Sequence, residues 1–303
     1  MRFILIVVCV LVALWLIPVP AIPQKPKPAP YGPPATIATI KDKSVSESSG
    51  LAASRLTPGA YWTNNDSGDG PFIYAFDTRG DSLGVFRVAG AQARDWEDIA
   101  AGPGPERKPY LYIGDIGDNN ERRVEIIVYR VPEPALTDTR KLTKTKPGTT
   151  EPAEAIRLRY PDGAHDAEAL LVHPVSGHIY IVTKVVIANP AVYEAAPPFT
   201  ANKPVTMTRL GVVNVPSLFG GVITGGSISP DGRRVALCDY FQGYELTLPA
   251  GSSNFNDIWK QRMVSFDLGK RKQGEAITYR LDGKALLATS EGKNAPIIQV
   301  TRN

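Results

Sequence analysis

The sequence predicts an all-β fold class, and an internal repeat, the composition and a series of hairpin signals support that prediction. Residues 61–69 read YWTNNDSGD and residues 110–118 read YLYIGDIGD, so a strand-like run ends in Asp-x-Gly-Asp twice. A short acidic strand precedes each copy, and a period of about 50 residues is typical of propeller blades. The 27 Gly and 27 Pro among 303 residues favour a turn-rich β protein over a helical bundle.

Three weaker copies of the repeat follow, at Asp166–Lys184, Val222–Asp239 and Gln273–Ser290. Each contains two apolar strands around a turn, and Asp231-Gly232 and Asp282-Gly283 are hairpin dipeptides. Five units of four strands account for the chain from about residue 36 onward. The sequence therefore predicts a β-propeller of five four-stranded antiparallel blades, with six blades as the alternative.

An N-terminal strand is predicted to close the ring. The segment 35–43 (ATIATIKDK) is rich in β-branched residues, which favour an extended chain. The last unit ends one strand short, because the chain stops just after Thr301. We expect the N-terminal strand to complete this blade, which would remove exposed sheet edges.

The N-terminus predicts export. Its first two residues carry a positive charge, and Phe3–Leu16 is an unbroken apolar run of the length of a signal-peptide core. Residues 1–21 are predicted to be a signal peptide or an uncleaved membrane anchor, residues 22–34 a proline-rich spacer, and residues 35–303 the propeller domain. We expect a periplasmic or extracellular protein that contacts the membrane only through an uncleaved N-terminal segment.

Charge and motifs exclude several classes of function. The net charge is +4 with 21% charged residues, and no cluster of Lys and Arg alternates with aromatics, so we expect no nucleic-acid partner. The chain has no Gly-x-Ser-x-Gly, P-loop or dinucleotide fingerprint. We expect a monomer that binds a small molecule, a glycan or a peptide.

The repeat places acidic residues at one rim of the central channel, because the first strand starts where the second strand ends. The first-strand position in the five units is occupied by Ser49, Glu97, Glu168, Thr224 and Glu275. Two residues earlier stand Glu47, Asp95, Asp166, Val222 and Gln273. The second strands end at Asp66, Asp115, Lys184, Asp239 and Ser290, the last followed by Glu291.

Crowded carboxylates repel one another, so they share protons, pair with cations or bind a metal. All-oxygen ligands favour a hard ion, Ca²⁺ above other divalent cations. The candidate metal ligands are Asp66, Asp69, Asp95, Asp115, Asp118, Asp166, Asp239 and Glu275. The alternative is that Asp-x-Gly-Asp only forms Asx turns and that the strand acids bond to backbone amides.

Four further residues are candidates at the same rim, each with a simpler alternative. His165 would act as a general base or is merely solvated. Lys184 would bind an anionic substrate group or neutralise a neighbouring carboxylate, and Arg94 would bind substrate or balance charge. Tyr240 would wall a pocket or take part in ordinary packing.

Short motifs on three inner strands resemble a known group of proteins. They read EDIA at 97–100, EALL at 168–171 and EAIT at 275–278. They are similar to motifs of secreted propellers grouped as phytase-like or esterase-like domains and, more distantly, of gluconolactonase-type propellers. The resemblance implies a Ca²⁺ or other divalent ion in the central funnel and hydrolysis of phosphoesters or lactones.

The resemblance also implies roles for individual residues. Glu97, Glu168 and Glu275 would be inner-strand metal ligands or general bases, with Asp66 and Asp115 as rim partners. The sequence departs from the pattern where Ser49 and Thr224 interrupt the acidic positions, and where Asp98 replaces the small residue of the other two motifs. The predicted blade number is five, whereas those families have six.

Three function classes follow. The first is a metal-dependent hydrolase of a phosphoester, ester or lactone, in which Glu97 or Glu168 accepts a proton from water. The second is a non-catalytic binding propeller whose ion rigidifies the site. The third is a glycoside hydrolase that uses carboxylates at the funnel.

Overall fold

The regular secondary structure of the protein is almost entirely β-strand in the computed structural model, which describes residues 30–66, 68–200, 203–217 and 221–303. The predicted signal or anchor segment and most of the spacer lie outside these residues. Within the described ranges, no helix has the length and apolar character needed to cross a membrane.

The strands in chain order are β1 (Ala35–Thr39), β2 (Ser48–Ala53), β3 (Ala60–Asn65), β4 (Phe72–Asp77), β5 (Ser82–Arg87), β6 (Trp96–Pro103), β7 (Pro109–Asp115), β8 (Ile126–Pro132), β9 (Gly148–Thr149), β10 (Glu154–Arg159), β11 (Ala167–Val172), β12 (Ile179–Thr183), β13 (Ala191–Ala195), β14 (Val205–Thr206), β15 (Thr208–Val212), β16 (Gly225–Ile228), β17 (Arg234–Cys238), β18 (Gln242–Thr247), β19 (Val264–Asp267), β20 (Gly274–Tyr279), β21 (Ala285–Ser290) and β22 (Pro296–Thr301). In the described part of the chain, two short 3-10 helices span Pro105–Arg107 and Phe255–Lys260.

These strands form five blades, so the fold is the predicted five-bladed β-propeller. The antiparallel blades are β2-β3-β4-β5, β6-β7-β8-β10, β11-β12-β13-β15, β16-β17-β18-β19 and β20-β21-β22-β1. They are numbered one to five here. Their first strands, β2, β6, β11, β16 and β20, neighbour one another around the central channel.

The N-terminal strand closes the ring, as the sequence predicts. β1 pairs antiparallel with β22, with Ala35 opposite Gln299 and Thr39 opposite Pro296. The preceding residues also contact the last blade, since the Gly32 amide donates to the Thr301 carbonyl over 2.8 Å. The end of the predicted spacer therefore packs on the domain.

Two parallel strands that the sequence does not predict join neighbouring blades. β9 lies in the connection between β8 and β10 of blade two, and it pairs with β5 of blade one. β14 lies in the connection between β13 and β15 of blade three, and it pairs with β10 of blade two. Each connection thus extends the outer edge of the preceding blade.

The hydrophobic core lies between the faces of adjacent blades. Trp96 is buried there beside Tyr129, with ring centroids 6.1 Å apart. The predicted hairpin turns join the first and second strands at the end of the channel away from the acidic residues, and Gly232 and Gly283 adopt φ of 67° and 65° there. Glycine suits these turns because it adopts positive φ without steric cost.

Candidate functional site

A β-bulge on the inner strands turns the acidic positions toward the channel. Trp96 pairs with Asp115 and Asp98 pairs with Gly114, so Glu97 has no partner across the strand. The same register shift leaves Ser49, Glu168 and Glu275 without a partner on the neighbouring strand. A bulge bends the strand and redirects the extra side chain. It therefore explains why these positions, which the repeat aligns, share one orientation.

The bulged residues face a cavity of about 200 Å³ at one end of the channel. Its lining consists of Ser49, Asp66, Asp95, Glu97, Asn119, Glu168, Lys184, Tyr240, Gln273, Glu275 and Glu291. We call this cavity the acidic mouth. Seven of the predicted site residues meet here: Glu97, Glu168, Lys184, Tyr240, Asp66, Asp95 and Glu275. Of the lining residues, Asn119 has no signal in the repeat.

Three carboxylates in the acidic mouth lie close enough to share one ion. Single oxygens of Asp66, Asp95 and Glu97 all lie within 4.8 Å of one another. The glycine of the second Asp-x-Gly-Asp motif permits this approach. A Cβ atom on Gly117 would stand 2.2 Å from Glu97 Oε1 and 2.5 Å from Asp95 Oδ2. Any larger residue at position 117 would displace these two carboxylates.

Glu168 and Lys184 form an ion pair in the same cavity, between Glu168 Oε1 and Lys184 Nζ. Lys184 Nζ also lies 5.5 Å from the centre of the Tyr240 ring, a cation–π distance. The other carboxylate oxygen of Glu168 is buried and has no hydrogen-bond donor among the described residues. Glu168 is only 8% exposed, so this oxygen is a buried acceptor that lacks a partner.

Burial and mutual repulsion shift the pKa values of the glutamates in the acidic mouth. Burial raises the pKa of Glu168 to about 7, although Lys184 opposes the shift. Burial and the charge of Glu168 raise the pKa of Glu275 to about 9, while Gln273 donates to Glu275 Oε1 over 3.0 Å. Burial and Glu168 also raise the pKa of Glu97 well above its usual range. Without a cation, the cavity thus retains protons at neutral pH.

Asp115 and Asp118, two predicted metal ligands, bond to neighbouring donors instead of lining the acidic mouth. Asp115 forms an ion pair with Arg123 at 2.8 Å, and both side chains are buried. Asp118 Oδ2 accepts the backbone amides of Arg122 and Arg123 at 2.7 and 2.6 Å. These contacts match the turn-forming alternative for the second motif.

Asp69 and Asp239 are likewise held by local contacts outside the cavity lining. Asp69 accepts the Tyr74 hydroxyl at 2.7 Å and pairs with Lys144. Asp239 accepts two backbone amides through Oδ1 and the Tyr244 hydroxyl through Oδ2, at 2.5 Å. Their carboxylates stabilise loops at the rim.

Asp166, His165 and Arg94 also lie outside the lining. Asp166 Oδ1 accepts the Asp118 amide at 2.8 Å. His165 Nε2 lies 2.9 Å from the Tyr193 hydroxyl and 3.2 Å from Asp162, in a cluster of aromatic rings. The side chain of Arg94 is exposed to solvent. The structure does not bring His165 or Arg94 to the acidic mouth, whereas burial, together with the charge of Asp166 just outside the lining, raises the pKa values of Asp95, Glu97 and Glu168.

Comparisons with known proteins do not identify a family. No protein-family model and no curated protein matches this chain. One similar solved structure is a nidogen/laminin complex, with 14% identity and a TM-score of 0.43 over 81% of this chain and 73% of that chain. Another is a putative oxidoreductase (glucose dehydrogenase) of Thermus thermophilus, with 10% identity and a TM-score of 0.45 over 88% of this chain and 99% of that one. Neither likeness extends to function.

Proposed function

We propose that this protein is a metal-dependent hydrolase of an ester, lactone or phosphoester, with the acidic mouth as its active site. One observation carries the proposal. The oxygens of Asp66, Asp95 and Glu97 converge within 4.8 Å, beside a buried oxygen of Glu168 that lacks a donor. Glu97 and Glu168 are buried, and buried carboxylates require counter-charge or hydrogen bonds, so a bound cation would lower the cost of this arrangement.

The ligand set fits a hard divalent cation, and Ca²⁺ best. Ca²⁺ binds carboxylate oxygens at about 2.3–2.6 Å, so two oxygens on opposite sides of one ion lie up to about 5 Å apart. The 4.8 Å spacing of the three oxygens is compatible with that geometry. Among the residues that the structure describes, no cysteine or histidine lines the acidic mouth, which disfavours zinc.

The residues around the metal ligands would perform acid–base chemistry. A bound cation would polarise the oxygen of the scissile group. Glu168 accepts a proton from the attacking water, and Lys184 fixes its orientation. Glu275, whose pKa is raised to about 9 in the cavity without a cation, donates a proton to the leaving oxygen. Tyr240 and Lys184 flank the substrate.

The size of the cavity limits the substrate. A cavity of about 200 Å³ is smaller than the roughly 300–1,000 Å³ of typical ligand pockets, so only a small polar group of the substrate enters it. Six carboxylates and one ammonium line the cavity, which favours a neutral ester or lactone over a phosphate dianion. The apolar N-terminal run supports the further proposal that the enzyme is exported.

Glycoside hydrolysis is the second candidate. The three inner glutamates line one cavity, and the pKa values of Glu168 and Glu275 differ, at about 7 and about 9. Two carboxyl groups with different protonation states are what such hydrolysis requires. This reaction would proceed without metal.

A substrate panel tests both proposals. The purified protein is assayed on aryl esters, lactones, aryl phosphates and aryl glycosides, with Ca²⁺, Mg²⁺ or chelator. We expect metal-dependent turnover of an ester or lactone, and a loss of about 10²- to 10⁴-fold in E168Q with the fold retained. E106Q is the matched control, because Glu106 is an exposed carboxylate in the 3-10 helix between β6 and β7.

Three outcomes would contradict the hydrolase. Turnover that chelator leaves unchanged excludes the metal, and glycoside cleavage in chelator supports the second candidate. E168Q with the parental rate excludes Glu168 as the base. Metal binding without turnover on any substrate class would favour a non-catalytic module for a glycan or peptide.

A further inference from the structure

A fully buried carboxylate divides the central channel in two. On β6, Glu97 lines the acidic mouth, whereas Ile99 lines a separate cavity of about 240 Å³ at the opposite end. Leu51 and Gly226 line that second cavity as well. Asp98 lies between Glu97 and Ile99 and is only 1% exposed. Its carboxylate therefore occupies the layer that separates the two cavities.

Backbone amides from four blades converge on this one carboxylate. The Ile99 amide donates to Oδ1 at 2.8 Å, and the Leu170 amide donates to Oδ2 at 2.9 Å. Burial raises the pKa of Asp98 well above its usual range, and these two amides, together with those of Leu51 and Gly226, oppose that rise by favouring the charged carboxylate. These four residues occupy the same position of the repeat, in blades one to four. Such convergent N–H groups form an anion-binding site.

The corresponding positions in the other blades carry no acidic side chain, and at two of them a side chain has no room. They are Gly50, Ala169, Gly225 and Ala276. A Cβ atom on Gly50 would stand 2.3 Å from the Ile99 nitrogen and 2.7 Å from Asp98 Cα. A Cβ atom on Gly225 would stand 2.3 Å from the Glu275 carbonyl oxygen. The repeat therefore places an equivalent backbone amide in several blades, whereas only blade two supplies an acidic side chain, Asp98.

We infer that the centre of the propeller is an anion-binding site that the chain fills with its own Asp98 side chain. The carboxylate satisfies amide donors that would otherwise be buried without acceptors, which is costly. It also fixes the inner strands next to Glu97 and Glu168, and so acts as a positioning residue for the acidic mouth. This site would accept a small monovalent carboxylate from solution once the Asp98 side chain is removed.

Rescue of D98A by formate tests this inference and does not depend on any hydrolase activity. We expect D98A to melt roughly 10 °C or more below the parent, because several buried amides lose their acceptor. Sodium formate should restore much of this loss in a saturable manner. Acetate should restore less because its methyl group has no room. ¹³C-formate should show a bound signal with D98A and none with the parent.

L111A is the control, since Leu111 is a fully buried side chain on the neighbouring strand β7 and its truncation creates no amide site. Formate should leave its melting temperature nearly unchanged. If D98A does not fold, D98N provides the test in its place. Its NH₂ group would face backbone donors, so we expect it to melt below the parent and to gain nothing from formate, because its side chain still fills the site.

Several outcomes would overturn the inference. The inference is wrong if D98A melts within about 2 °C of the parent. It is also wrong if formate raises the melting temperatures of D98A and L111A equally, or if D98N is as stable as the parent. Folding of D98A only when formate is present would support it.

Discussion

The hydroxyl of Tyr31 donates a hydrogen bond to Glu245 Oε1 over 2.9 Å, and it thereby fastens the end of the predicted spacer to blade four. Glu245 lies on β18 and is 3% exposed. It also accepts Tyr279 at 3.0 Å and Arg302 at 2.5 Å. One buried carboxylate therefore joins the N-terminal segment, the last blade and the C-terminus, next to the strand that closes the ring.

Y31F should weaken this closure. Removing a hydrogen bond to a buried charged acceptor costs about 2 kcal/mol, so we expect the melting temperature to fall by roughly 4–8 °C. Differential scanning calorimetry measures the change. Y110F is the control, because the ring of Tyr110, rather than its hydroxyl, contacts Arg130. Equal melting of Y31F and the parent would show that the Tyr31–Glu245 contact does not stabilise the fold.

Ca²⁺ should stabilise the folded protein through the acidic mouth. Ligand at a hundredfold excess over Kd contributes about 2.7 kcal/mol when it binds the native state alone. E97Q removes one of the three converging carboxylates, and we expect it to abolish most of the Ca²⁺-induced rise in melting temperature. In chelator E97Q should melt close to the parent near neutral pH, because the raised pKa of Glu97 already favours its neutral form there.

Isothermal calorimetry with Ca²⁺ and Mg²⁺ measures the same binding directly. E106Q has the same change in net charge and should bind like the parent. A parent protein that shows neither heat nor a thermal shift with either ion would leave the converging carboxylates without a metal role.

Stability in chelator should fall as pH rises. The folded protein holds the pKa of Glu168 near 7 and that of Glu275 near 9, against an ordinary value of 4.5. These two groups therefore bind more protons in the folded state than in the unfolded chain. Their contribution to stability is complete below about pH 4.5 and is lost as pH passes 7 and then 9.

Melting curves between pH 5 and pH 9 test this dependence. The glutamine side chain of E275Q is neutral at every pH, so the melting temperature of E275Q should depend less on pH near pH 9. Saturating Ca²⁺ should likewise reduce the pH dependence of the parent's melting temperature. A melting temperature that rises with pH in chelator would contradict the protonated state of the cavity.

K184M should change the pH dependence of activity. Lys184 is the counter-ion of Glu168, so its loss should raise the pKa of that carboxyl further and move the acidic limb of the pH–rate profile to higher pH. The chain offers a matched control in Lys144, which pairs with Asp69 and lies 5.8 Å from the Phe72 ring, outside the acidic mouth. K144M should affect stability alone. An unchanged profile in K184M would remove Lys184 from the mechanism.

Local patterns in the sequence are sufficient to predict the architecture. Strand alternation and turn dipeptides such as Asp231-Gly232 act over a few residues, so the hairpins and the number of units follow from the chain itself. The aligned positions Glu97, Glu168 and Glu275 also meet as predicted, because the repeat places the same bulge in each of their blades. The short parallel strands β9 and β14 lack such a signal, since two residues are too few to form a pattern.

The partners of each carboxylate are decided by the tertiary structure. Asp66 and Asp115 hold the same place in the two sequence motifs, yet the strand register puts Asn65 opposite Ser48 and Asp115 opposite Trp96. Asp115 thus takes the place of Asn65 and pairs with Arg123, whereas Asp66 stands one residue further on and lines the acidic mouth. Asp98 looks like an exception within its motif, but four amides from separate blades surround it once the ring closes. Residue type and spacing determine where a carboxylate stands. The donors that reach it come from distant parts of the chain, and only folding brings them together.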